Sequence, residues 1–178
     1  MRTVLLLLLL CVVVAEEAAP RTWPIPRTQL ALAVPASWTT LPDHAGATLV
    51  LRSAVPAKPS DEDERTRGII AVTVQAVKDE GPLAFAVRCR RDLERTASGL
   101  QLGTTEDLVL GGRSWTRQPY RMQVGQFTFV QVLYASVVDG TGICITCSCT
   151  ADGFARWQST FDAAITSLGR SRLTIDLK

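Results

Sequence analysis

FTFVQVLYASVVDGTGICITCSCTADGFARWQSTFDAAITSL, residues 127–168, is the stretch that decides the fold. Phe127 to Val138 is a long apolar run rich in β-branched and aromatic side chains, which suit a pleated, buried surface. Asp139-Gly140-Thr141-Gly142 is a hairpin turn signal, and Ile143 to Thr150 returns as a second strand. The period then changes. Phe154, Trp157, Phe161, Ile165 and Leu168 recur at steps of three and four, which predicts a helix over Gly153 to Leu168 with one apolar stripe. Asp152 is its expected N-cap and Gly169 its stop. Such a stripe has to be buried against the sheet that precedes it.

Upstream, Thr105 to Leu110 and Arg113 to Val124 flank Gly111-Gly112, another hairpin signal. Pro119 removes one ladder donor and places that strand at an edge or a bulge. Gly81-Pro82 opens a helix carrying Phe85, Ala86, Cys89, Leu93 and Ala97 on one face, and Gly99 follows its end. Gly68 to Val77, Ala47 to Arg52 and Gln29 to Val34 read as strands, the last stopped by Pro35. Trp38 is an expected buried aromatic, and residues 53–67 read as loop. The expected architecture is α+β: an antiparallel sheet of about six strands sandwiched by two main helices.

The N-terminus specifies a compartment. Met1-Arg2-Thr3 is a short cationic start, and Val4 to Val14 is an unbroken apolar run. Such a run makes about 18 Å of helix against roughly 30 Å of bilayer hydrocarbon, which fits the core of a secretory signal and not a membrane span. Val13 and Ala15 suit the positions before a cut, so residues 1–15 are assigned to a signal peptide. Residues 16–27, with Pro20, Pro24 and Pro26, are assigned to a Pro-rich linker, and 28–178 to a single domain. A lipid anchor at Cys11 is the competing reading of the N-terminus; Leu10 fits poorly where a small residue is expected. The chain is thus expected to be exported, periplasmic or extracellular, with membrane contact only through the signal or that anchor.

The formal net charge is +2, with 19 basic and 17 acidic side chains. That near-balance excludes the electrostatic footprint of a nucleic-acid binder. Arginine far outnumbers lysine, which together with the signal points to a bacterium of high genomic GC.

Chemistry-bearing residues are few. Cys144, Cys147 and Cys149 crowd six residues of one strand, where side chains alternate faces, so their thiolates do not converge as a metal site requires. His44 is the lone histidine and is the residue a small hydrolase would have to use. The run Asp61 to Glu64 lacks the glycine and spacing of a calcium loop. No cofactor is expected. A disulfide is the stronger candidate in an oxidising compartment. Cys89 would meet Cys147 or Cys149 if its helix covers their face of the sheet. Cys147 and Cys149 could also pair, although i,i+2 neighbours stand about 6.5–7 Å apart, near the limit for a bridge. The competing reading is small buried hydrophobes. Trp115, Tyr120, Phe129 and Tyr134 are either core or the lining of a sheet–helix groove for an apolar or peptide ligand.

Three pieces resemble one known group: the opening strand into Val34-Pro35-Ala36-Ser37-Trp38, the strand and helix from Ile69 to Leu93, and the late strand with its aromatic helix ending Ile165-Thr166-Ser167-Leu168. Over residues 28 to 169 the chain resembles the Mog/PsbP-like group, in particular the bacterial DcrB-type exported proteins. The resemblance implies an α-β-α sandwich and a non-enzymatic accessory or binding role, as in photosystem assembly, nuclear transport or envelope lipoproteins. It carries over no catalytic residue. The chain departs from the group in its cysteine cluster and in Leu10. The expectation is an exported, non-catalytic accessory domain that binds an envelope protein; the alternatives are a carrier of a lipid or apolar small ligand and a small hydrolase using His44.

Overall fold

A computed structural model of the chain describes residues 19–42 and 46–168. Its frame is a meander of β8 (Arg113–Val124), β9 (Phe127–Val138) and β10 (Thr141–Thr150). Asp139 and Gly140 form the β9–β10 turn with φ of 49° and 70°. Two successive left-handed residues match the twist of the strands they join. Val138 therefore pairs with Thr141, and the register runs unbroken to Phe129 and Thr150.

β5 (Ile69–Ala76) lies antiparallel on the other side of β10. β4 (Leu49–Arg52) and β3 (Thr39–Thr40) extend that edge, while β6 (Ser98–Leu102) and β7 (Glu106–Leu110) share the far side of β8. The result is an eight-stranded sheet rather than one of about six. The short β3 and β6, which takes in Gly99, carry too little alternating pattern to be read from sequence.

Pro119 sits inside this sheet, not on its edge. β7 pairs with Arg113 to Arg117 and β6 with Tyr120 to Gln123, so Pro119 falls at the seam between two partners. A residue in an antiparallel strand points its N and O to the same side. Pro119 O accepts a 2.8 Å bond from Gly103 N–H, which puts the missing donor on the seam and leaves the β9 ladder intact.

Each face of the sheet carries one helix. α2 (Pro82–Thr96) covers one face, packing Phe85, Ala86, Cys89 and Leu93 over Tyr120, Leu133, Ala135 and Cys144. α3 (Phe154–Ser167) covers the other, where Phe161, Ala164, Ile165 and Leu168 meet Ile143, Ile145, Cys147, Val72 and Tyr134. Burying each large apolar side chain there contributes about 1.5–3 kcal/mol. Trp38 is 2% exposed and stands edge-on to Trp157 and Phe161, with centroids 5.7 and 6.2 Å away.

Three local readings need correction. The segment assigned to the linker enters the fold: β1 (Arg21–Pro24) pairs with β2 (Ala31–Val34), and Ile25 is 1% exposed. Its prolines sit at the strand's ends, where no ladder donor is lost. Residues 53–67 are not all loop. α1 (Asp61–Arg65) forms behind a capping box, in which the Ser60 hydroxyl accepts from Asp63 N–H and the Asp63 carboxylate accepts from Ser60 N–H. Asp152 does not cap α3. Gly153 holds that position with no side-chain cap, and Asp152 is ion-paired with Arg65 at 3.3 Å. The signal peptide at 1–15, Cys11 and His44 lie outside the described residues.

Candidate functional site

The aromatics predicted to line one groove are split between the two faces of the sheet. Trp115 and Tyr134 belong to the α3 side, where they are 1% and 4% exposed. Tyr120 belongs to the α2 side, 2% exposed, with its hydroxyl donating to Gln131 Oε1. Phe129 is half-buried and pairs with Met122 on that same side. These four side chains fill core and enclose no common cavity.

The cysteines are also redistributed. α2 covers the face that Cys144 occupies, so the neighbour of Cys89 is Cys144, not Cys147 or Cys149. The four thiols among the described residues are unbridged. The Cys89 and Cys144 side chains pack against the same cluster beneath α2. The neighbouring Cys144 thiol, helped by the Arg88 guanidinium and opposed by burial, holds the Cys89 thiol below its ordinary value. The Cys89 side chain and burial push Cys144 well above its own. Cys147 lies in the α3-side core, where burial raises its pKa. Cys149 donates to Thr66 O at 3.1 Å beneath Trp157, whose Nε1–H reaches the same oxygen at 2.7 Å.

A concave surface lies where the β1–β2 turn meets the β9–β10 hairpin. It is a cleft of about 350 Å³, at the small end of ligand-sized clefts. Leu30, Val138 and Ile143 give it apolar lining, and Arg27, Arg113 and Asp139 its charge. The turn is pinned from within: the Thr28 hydroxyl donates to Ile25 O at 2.9 Å and accepts from Leu30 N–H at 3.1 Å. The pinning holds Arg27 at φ 65°, a left-handed conformation that costs a non-glycine residue about 1–2 kcal/mol. Arg27 is exposed and Arg113 half-buried, and neither forms an ion pair among the described residues. Unpaired guanidiniums beside apolar lining suit a carboxylate-bearing, partly apolar group. Sequence reading missed this site because both arginines looked like ordinary surface charge and Arg27 stood in the presumed linker.

No family model and no curated protein sequence matches the chain. Solved structures do match. Cyanobacterial PsbP from Synechocystis sp. PCC 6803 is similar over 86% of this chain and 93% of its own, at 14% identity and a TM-score of 0.61. LpqN of Mycobacterium tuberculosis, described as involved in cell envelope biogenesis, is similar over 85% and 84%, at 14% identity and a TM-score of 0.56. A mutant form of Mog1 is similar over 85% and 87%, at 11% identity and a TM-score of 0.51. The chain has the Mog/PsbP-like fold, an α+β sandwich around an antiparallel sheet. Among the described residues no helix is long and apolar enough to cross a membrane.

Proposed function

We propose that this chain is an exported, non-catalytic accessory domain of the cell envelope, of the DcrB type, and that it grips an acidic segment of an envelope protein in the Arg27–Arg113 cleft. The observation that carries the reading is the pair of unpaired arginines held over apolar lining by a turn with a left-handed Arg27. The fold shared with LpqN, a protein of envelope biogenesis, supports the compartment, as does the signal-like sequence of residues 1–15. The carrier alternative needs room between sheet and helix, and that space is occupied by Tyr120, Leu133 and Phe85, each at most 2% exposed.

The test is site-specific photo-cross-linking from position 113 in the native envelope, alongside the Arg27→Glu/Arg113→Glu variant. The reading expects a cross-link into an acidic stretch of one envelope protein. Each charge reversal at a partly exposed pair should weaken the complex by about 1 kcal/mol, so the double variant should bind roughly tenfold or more weakly. A cross-link into a segment without carboxylates, or unchanged binding by the double variant, refutes it. Lipid co-purifying in native mass spectrometry would favour the carrier. An activity abolished by His44→Ala would favour the hydrolase.

A further inference from the structure

Cys89 on α2 and Cys144 on β10 pack against one cluster at the α2–sheet interface, and the seating of α2 on β10 aligns them. Gly142 is so close to α2 that a Cβ there would stand 2.7 Å from Phe85 Cζ. Cys89 follows Phe85 by four residues on one helix face, a rise of about 6 Å. Cys144 follows Gly142 by two residues on one strand face, an advance of about 6.6 Å. Advancing in step from the Phe85–Gly142 contact, the two elements carry Cys89 toward Cys144 within that shared cluster. Cys147 and Cys149 lie on the opposite side of β10 and are buried.

We propose that Cys89 and Cys144 are a disulfide site, and that oxidation in the exported compartment fastens α2 to β10 through a Cys89 Sγ–Cys144 Sγ bond. The oxidant is a small-molecule or protein disulfide. The half-buried Cys89 gives up its proton and attacks one sulfur of that disulfide, forming a mixed disulfide and releasing one thiol. Cys144 then loses its proton and attacks Cys89 Sγ, releasing the second thiol. The chain loses two protons and two electrons, and the oxidant becomes two thiols. The lowered pKa of Cys89 suits it to the attacking role and the raised one of Cys144 to the resolving role. The site is independent of what the arginine cleft binds, so its failure would leave that reading untouched.

The experiment oxidises the purified, reduced chain with glutathione disulfide and maps the product by tryptic digestion and fragmentation. The expected result is a species lighter by two hydrogens, in which the peptide containing Cys89 is joined to Cys144. Closing a loop of this length should raise the melting temperature by about 10 °C, reversibly with dithiothreitol. Cys144→Ser should abolish the cross-link, and Cys147→Ala should keep it. Mapping the bond to Cys147 or Cys149, or finding Cys89 only as a stable mixed disulfide, overturns the proposal. Mapping on the unsubstituted chain gives the answer even if a variant folds poorly.

Discussion

Gly142→Ala should destabilise this fold more than any surface change, and by a cost that is purely steric. The backbone at Gly142 is not left-handed, so alanine meets no conformational penalty there. Its methyl would stand 2.7 Å from Phe85 Cε2 and Cζ and 2.8 Å from Val77 Cγ1. Carbon contacts are optimal at about 3.5–4.0 Å, so the neighbours would have to retreat by close to 1 Å. Phe85 has nowhere to go: it is 0% exposed and packed against Tyr120, Leu133 and Ala135. Overpacking of this kind costs about 1–3 kcal/mol, and two unyielding partners put the value at the upper end. At roughly 2–4 °C per kcal/mol, the melting temperature should fall by about 6–12 °C. Urea titration followed by circular dichroism reads the change directly. The sharper assay is a double-mutant cycle with Phe85→Ala, which alone should cost about 3–5 kcal/mol. In the double variant the new methyl enters the space the ring has left, so the combined cost should undershoot the sum by about 1–2 kcal/mol, with Val77 retaining part of the clash. Additivity within about 0.5 kcal/mol, or a Gly142→Ala variant as stable as the parent, would refute the claim that α2 is seated by this contact.

Trp157→Phe removes the 2.7 Å bond from Nε1–H to Thr66 O while leaving an aromatic face for Trp38. Because Cys149 still donates to that oxygen, the loss should be about 1 kcal/mol by thermal denaturation, and a loss above 3 would contradict the shared-acceptor geometry. Stability should also fall at both ends of the pH range. Asp63 is held below its ordinary 3.8 by the Ser60 backbone and hydroxyl, Glu80 below 4.5 by Arg88, and Asp152 below 3.8 by the Thr150 hydroxyl. The unfolded chain therefore takes up protons first, and the contribution of these groups is lost as pH drops through their lowered values. Burial raises the Cys147 and Cys149 thiols above 9.0, so the unfolded chain releases protons first and stability declines as pH rises past 9.0. Urea midpoints measured across pH 2–11 check both limbs, and Cys147→Ala should shallow only the alkaline one.

The meander and both long helices were legible because turn chemistry and periodicity coincide there: Asp139-Gly140 takes the φ > 0 pair its hairpin needs, and Phe161 and Ile165 fall on the stripe they define. β1 was hidden by Pro24 and Pro26, which read as linker although each sits where a strand can tolerate it. α1 was hidden by its size, being a single turn held by one capping box. The arginine cleft was invisible because it depends on a turn conformation at Arg27 and on the meeting of loops more than eighty residues apart.

The pairing of the cysteines turned on a different question, namely which helix covers which face, and the strands themselves hold its answer. A sheet covered on one side alternates apolar and polar residues, whereas β9 from Val130 to Val138 is interrupted only by Gln131 and Ser136. Both faces must then be covered, and with two long helices each receives one. In β10 the face bearing Ile143, Ile145 and Cys147 is the more apolar, and the face bearing Cys144, Thr146 and Ser148 the more polar and small. The bulkier stripe, Phe154, Trp157, Phe161 and Ile165 of α3, requires the first, which leaves the second to α2. Cys89 on α2 then has Cys144 as its only partner within reach on that face of β10, and the disulfide site follows from the same apolar bookkeeping that specifies the fold.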